Sequence, residues 1–265
     1  RCTGVAWETT IGSIVLFDVL WRMGRWNELF ERYPASLGDA ASRGDLLLEI
    51  YLRVKFRALA HLAADRPEDA AKEGRDALAR WTQKHYTLLH LWQLFGAVEA
   101  LMYAGRAHEA REHLDREWAT LVRSQLLRVQ VYAVTMHDLR GRVALACAAR
   151  SGGRARIRSL REAEREARTI GRMYAPWSRG LASALLAGVA AARRDATTAI
   201  RLFARAEREL RASHMSLHAQ VARARRAALK GDRATVDEVS SWIRALGVAR
   251  AEPWLDLLAP GRYGL

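Results

Sequence analysis

The sequence predicts an all-α chain, a right-handed α-solenoid of about six antiparallel helix pairs, and three observations lead there. Narrow apolar stripes at steps of three and four recur along the chain, the mark of amphipathic helices that pack along one seam. Short polar turns carrying Gly or Asp separate them at nearly regular intervals. No run of alternating β-branched residues is flanked by hairpin turns, so strands have no foothold.

The stripe is plainest in "GRAHEAREHLDREWATL" (105–121), where Ala107, Ala110, Leu114, Trp118 and Leu121 sit between charges. The same register fits an earlier copy, Ala70, Gly74, Ala77 and Trp81. It returns in three later ones: Leu160, Ala163, Ala167 and Ile170; then Ala196, Ala199, Phe203, Ala206 and Leu210; then Val236, Val239, Ile243 and Leu246. Small residues early in each stripe let two helices approach closely.

Before each such helix lies a longer, more apolar one, and a turn divides them: "RMGRW" at 22, "ADRPED" at 64, "AGRAHE" at 104, "RSGGR" at 150, "ARRDAT" at 192 and "KGDRAT" at 230. Gly accepts the left-handed conformation of a helix C-cap, and Asp accepts bonds from free amides at an N-cap. The starting positions give spacings of about 38 to 46 residues, longer than the usual two-helix period of about 34. Pro34 is expected to kink or split the second helix, and Pro176 suits the first turn of a new one. Residues 1–265 read as one helical-repeat domain with a soft hinge near 150–156. The opening "RCTGVAWETT" has neither an initiator Met nor a signal sequence, so a fragment of a longer chain is expected.

Half of the residues are apolar, enough for a substantial core. Lys plus Arg number 43 against 29 Asp plus Glu, a net charge of +14, and only Lys55, Lys72, Lys84 and Lys230 are lysines. An Arg- and Ala-rich composition is what a GC-rich genome writes, so the charge is read first as a solvated surface. Cys2 and Cys147 make no CxxC spacing and no disulfide framework, which fits a reducing cytoplasm. The apolar run "ALLAGVAAA" (184–192) is too short for a membrane span, which needs about 20 residues.

Motifs for chemistry are missing. No GxxxxGK[ST] phosphate loop occurs, and "HDLRGR" at 137 only reshuffles the letters of a kinase catalytic loop. In "HMSLH", His214 and His218 are spaced to share a helix face, but Met215 stands where a zinc peptidase carries its Glu base, so packing or surface histidines are expected. "RGD" at 43–45 reads as a helix-ending turn. The nine tryptophans read as core fillers, and neither a cofactor nor a metal is called for.

The remaining function class is recognition. In a solenoid the first helices of each pair line the concave side, and polar residues that interrupt them are the partner-binding candidates. These are Arg53, Arg57 and His61 on one helix face, Tyr86, His90 and Gln93 on the next, and Arg128, Thr135 and Arg142 on another. Arginine forks there would take carboxylates of an acidic peptide or phosphate. The alternative is a basic α-solenoid that binds nucleic acid or another polyanion. It fits less well, because no stacked aromatic-and-Arg code recurs from repeat to repeat.

"GRAHEAREHL" resembles the second helix of tetratricopeptide repeats, with a stretched spacing. "CTGVAWETT" at the start, "WTQKHYTLLHLW" at 81–92, "APW" at 175–177 and the ending "WIRALGVARAEPWLDLLAPG" resemble the C-terminal helical region of large bacterial serine/threonine kinases that also carry an AAA-type ATPase module. That resemblance spans nearly the whole chain and carries no catalytic residue. It implies a scaffold or sensor arm that binds a protein or peptide, or the neighbouring kinase and ATPase domains, with phosphoryl transfer done elsewhere.

Overall fold

The computed structural model describes residues 6–264, and every regular element among them is helical, with no strand. In order these are α1 (Ala6–Met23), α2 (Trp26–Ser42), α3 (Leu46–Tyr51), a π-helical segment (Leu52–Arg57) that runs on into α4 (Ala58–Ala63), α5 (Pro67–Leu78), α6 (Leu88–Tyr103) and α7 (Ala107–Arg123). A 3-10 turn (Leu126–Arg128) leads to α8 (Gln130–Arg150), α9 (Gly153–Gly171), α10 (Ser178–Ala192), α11 (Ala196–Ala212), α12 (Ser216–Leu229), α13 (Arg233–Arg244) and α14 (Glu252–Leu258). None of them is long and apolar enough to cross a membrane.

One turn, used repeatedly, sets this order. After α6, Gly105 takes φ 75° and its N–H bonds Met102 O at 3.0 Å, while Arg106 N–H bonds Leu101 O at 2.8 Å. This pair of bonds satisfies carbonyls that the helix end leaves free and turns the chain back within three residues. The same two bonds close the turns at Gly24, Gly44, Asp65, Arg194, His214 and Gly231. Asp45, Asp195 and Asp232 then cap the next helices, accepting from the backbone N–H groups of Leu48, Thr198 and Thr235.

The turns at 22, 64, 104, 150, 192 and 230 all lie between helices, and the "RGD" segment is the turn from α2 to α3. His214, however, sits in a turn at φ 57°, ahead of α12, so it shares no helix with His218. Asp195 and Asp232 announce a cap at their turns, whereas nothing in "SHM" does. Pro34 lies inside α2 without interrupting it. Its position is exposed, so the carbonyl that loses its helical donor can bond water. Pro176 falls two residues before α10 rather than in its first turn.

The apolar stripes face inward. Ala107, Ala110, Leu114 and Leu121 are buried, as are Leu160, Ala163, Ala167 and Ile170, and Ala199, Phe203, Ala206 and Leu210. Trp81, Trp118, Val236 and Leu246 are half-buried at the seam edge, and Ala196, at the first position of α11, is exposed. Small residues do set the approach: a Cβ on Gly180 of α10 would lie 2.6 Å from Leu210 Cγ on α11. Consecutive elements from α1 to α13 pack on one another, α14 packs instead on α6 and α12, and α8 also touches α6 and α10. At the 150–156 junction Arg156 donates to Ala148 O and Ala192 O, tying the ends of α8 and α10 together.

The two ends of the chain also meet. α1 packs on α12, Asn27 Nδ2 donates to Ala245 O at 3.0 Å, and Ala249 N donates to Ala63 O at 2.8 Å. One continuous apolar core runs from Ile14 to Tyr263.

Candidate functional site on the inner helices

The inner side of α6, α8 and α12 does not open onto solvent where α14 lies. Trp254 of α14 is buried with its ring 4.7 Å from that of Trp26 and 5.7 Å from that of Tyr103. Arg142 Nη1 donates to Leu257 O at 3.1 Å, and Arg225 Nε to Ala259 O at 3.1 Å. Tyr263 stacks edge-on against Phe203, its hydroxyl donating to Pro260 O, under the Arg225 guanidinium. The segment 249–264 thus covers side chains of α6, α8, α11 and α12 at this place.

Beneath it lies a buried ionic cluster. Arg142 donates to Asp138 at 2.8 Å and to Glu99 at 3.1 Å. Burial pushes the carboxyls of Glu99 and Asp138 above their usual range, although Arg142 opposes it. Burial by itself would lower Arg142, but the two carboxylates outweigh it and hold the guanidinium above its ordinary value. His218, with Nδ1 buried and without a hydrogen-bond partner, is pushed down to about 3 by burial and then by Arg142 and Arg22.

A second charge is boxed in by rings. Lys55, on the π-helical segment, sets Nζ 3.2 Å from the Trp92 ring centroid and 4.6 Å from that of Trp21, with Asp18 as its ion-pair partner. Tyr51 donates to the same carboxylate. The extra residue of a π turn rotates this lysine inward, where cation–π attraction partly replaces lost water. Burial still dominates and brings Lys55 down to about 7. An amine of that kind is a nucleophile in the open, but this one is buried and lines none of the clefts described. Its arrangement is that of a structural cation.

The sequence-selected residues fall into three settings. Arg53, Arg57 and His61 share a face and converge on one carboxylate, Glu73 of α5, at 2.6, 3.4 and 3.9 Å. They fasten α5 to the preceding helix. Tyr86 and His90 stack with rings 5.2 Å apart, and His90 Nδ1 accepts from Thr87 N as part of the α6 cap. Burial lowers His90 and raises Tyr86. Arg128 is exposed on the 3-10 turn, Thr135 is buried and donates to Val131 O, and Arg142 is the buried centre already described.

Gln93 alone lines an open groove, about 290 Å³ between α5, α6 and α7. Its apolar lining includes Ala71, Ala97, Ala100 and Leu101, and its charged and polar lining Glu68, Arg75, Arg106 and His113. Among the described residues Arg75 is exposed and has no ion-pair partner, while His113 meets Arg116 through Nδ1 and its Nε2 is buried with no hydrogen bond. Sequence reasoning passed over both, because each sits on a helix chosen for its apolar stripe. It also passed over Asp18, Lys55, Glu99 and Asp138; a lone charge in an apolar run, such as Glu99 in "GAVEALMY", was the available signal. Cys147 is buried, with Sγ 3.2 Å from Ala107 O, and Cys2 lies outside the described residues. No group of His, Cys, Asp and Glu that could hold a metal occurs among the described residues.

Compared with known proteins, the chain matches no family model, no curated protein and no solved structure.

Proposed function

We propose that this chain is a non-catalytic, tetratricopeptide-like, right-handed α-solenoid that serves as a cytoplasmic protein-interaction scaffold or sensor. The parent would be a bacterial signalling protein with serine/threonine kinase and AAA-type ATPase domains, a reading that rests on the short sequence motifs alone. The observation that carries the scaffold reading is the open groove of α5, α6 and α7, whose alanine-rich lining, exposed Arg75 and His113 Nε2 without a hydrogen bond suit a short peptide bearing a carboxylate. Backbone passes close over small floor residues, the guanidinium forks a side-chain carboxylate, and Gln93 offers both donor and acceptor. The repeated two-bond turn supports the array, since hairpins of one geometry stack in one sense.

The test is fluorescence anisotropy of the intact chain with labelled acidic peptides. Tight binding lost in Arg75→Glu and in Ala97→Trp, which fills the floor, is the expected result. Binding indifferent to both substitutions overturns the reading. Purified chain is also expected to neither hydrolyse ATP nor phosphorylate acidic protein acceptors, and robust turnover by it would end the non-catalytic assignment.

A further inference from the structure

The outer face of α9 and its C-cap carry one arginine per turn: Arg154, Arg158, Arg161, Arg165 and Arg168, then Arg172 at the cap, spaced i, i+4, i+7 and onward, and all are exposed. Forty positions later α11 repeats the device, with Arg201, Arg205 and Arg208 exposed at the places that Arg161, Arg165 and Arg168 hold in α9. Both helices pack against α10.

Neither exposed face contains a carboxylate. Glu162, Glu164 and Glu166 on α9, and Glu207 and Glu209 on α11, all stand at half-buried or buried positions. The other outer helices differ: α2 exposes Glu31 and Asp39, α5 Asp69 and Asp76, α7 Glu109 and Asp115, α13 Asp237 and Glu238. A genome-wide drift toward arginine would not remove acidic residues from two outer faces and leave them on the rest. Ion pairing within the field is also sparse. Arg165, Arg168 and Arg205 reach neighbouring glutamates, whereas Arg154, Arg158, Arg161, Arg172 and Arg201 have no carboxylate partner among the described residues.

We infer that the outward faces of α9 and α11 form a contact surface for the phosphate backbone of duplex nucleic acid, read without regard to base sequence. This goes beyond the peptide groove, which lies on other helices. The stripe from Arg154 to Arg172 is about 27 Å long at 1.5 Å per residue, the length of about eight base pairs. Ile157 is the one large apolar side chain exposed within these faces, so a protein partner would find almost nothing to bury. A membrane is disfavoured for a related reason. A helix that lies in a bilayer inserts its apolar face, and here Leu160, Ala163, Ala167 and Ile170 are spent in the core. A purely cationic surface gains most from the densest linear anion, through release of its counterions.

The test is binding of a short labelled DNA duplex to the intact chain between ~50 and ~200 mM salt. The unmodified chain is expected to show a slope of log affinity on log salt of about −4 to −5, as for roughly five phosphates neutralised. The triple reversal R158E/R161E/R201E is expected to weaken binding at least about tenfold and flatten the slope. The control reversal R116E/R123E/R233E changes net charge equally on other helices and is expected to weaken binding less than about threefold. All six positions are exposed, and thermal melts of both variants are the check that each folds. Equal losses in the two variants, no duplex binding at ~50 mM salt, or phosphatidylserine vesicles that hold the protein against excess duplex would each overturn the inference.

Discussion

Arg142 on α8 donates to the carbonyl of Leu257 on α14 at 3.1 Å, across 115 positions of sequence. The same guanidinium holds Glu99 of α6 and Asp138 of its own helix, so one cation joins three helices at the centre of the molecule. Each of its bonds reaches a group that burial would otherwise leave without a partner.

Removing that cation should therefore cost more than three hydrogen bonds. Arg142→Met leaves two buried carboxylates facing each other, and a loss of about 3–5 kcal/mol is expected in urea unfolding at neutral pH. The loss should shrink on acidification. Glu99 and Asp138 already sit above the usual carboxylate range, and without Arg142 they rise further. The folded state then takes up protons before the unfolded chain does, so stability recovers as pH falls through the raised values. Adding Glu99→Gln and Asp138→Asn should restore much of the loss, and a single-variant cost under about 1 kcal/mol would contradict this account.

Lys55 gives a pH dependence of its own. Its folded value of about 7 lies below that of an unfolded lysine, so between these limits the unfolded chain binds one proton that the folded chain does not. Stability then rises with pH across that window, by up to about 1.4 kcal/mol per unit, and this contribution is flat below it. The double variant Asp18→Asn/Lys55→Met, which removes charge and partner together, should lose this slope. Parallel stability–pH curves for the two proteins from pH ~7 to ~10 would show that Lys55 does not titrate there.

Arg194 holds φ 65°, the conformation that glycine supplies in the matching turns at 24, 44, 105 and 231. Left-handed backbone costs an L-residue roughly 1 kcal/mol, and among the described residues Arg194 makes no ion pair that would offset it. Arg194→Gly should raise stability by about 0.5–1 kcal/mol in thermal unfolding, although glycine loosens the unfolded chain. Gly105→Ala should move it the other way by a similar amount. No change in either variant would mean that the turn is not under this constraint.

The same turns mark how far the sequence was legible. Helix class, turn positions and inward stripes followed from local chemistry, because a helix end, a cap and a period of 3.6 each act within a few residues. Where Arg53, Arg57 and His61 point also followed, as one helix face. What they meet did not: Glu73 reaches them from α5, and no periodicity names a partner on another helix. The burial of Lys55 was not legible either, since nothing in the sequence marks Leu52–Arg57 as π-helical. Thr135 and Arg142 read as polar interruptions facing a groove, yet both lie buried: Arg22 of α1 reaches Thr135 Oγ1 at 3.4 Å, and Leu257 of α14, returning from the far end of the chain, lies against Arg142.

Trp254 is the residue through which that return is fixed. It is 1% exposed and its ring meets Trp26 at the start of α2 and Tyr103 at the end of α6, so both ends of the chain share one anchor. Trp254→Ala should cost about 3–5 kcal/mol, the usual toll of a buried indole lost to a cavity. The distribution of that cost is the sharper test. If the anchor joins the ends, amide hydrogen exchange should quicken together in 249–264, in α1 and α2, and in α12, while α8 to α10, whose packing does not pass through Trp254, stay protected. Trp254→Phe should keep most of that protection by retaining the ring contact. Exchange that rises only within α14 would mean that the C-terminal segment lies on an array whose ends hold each other without it.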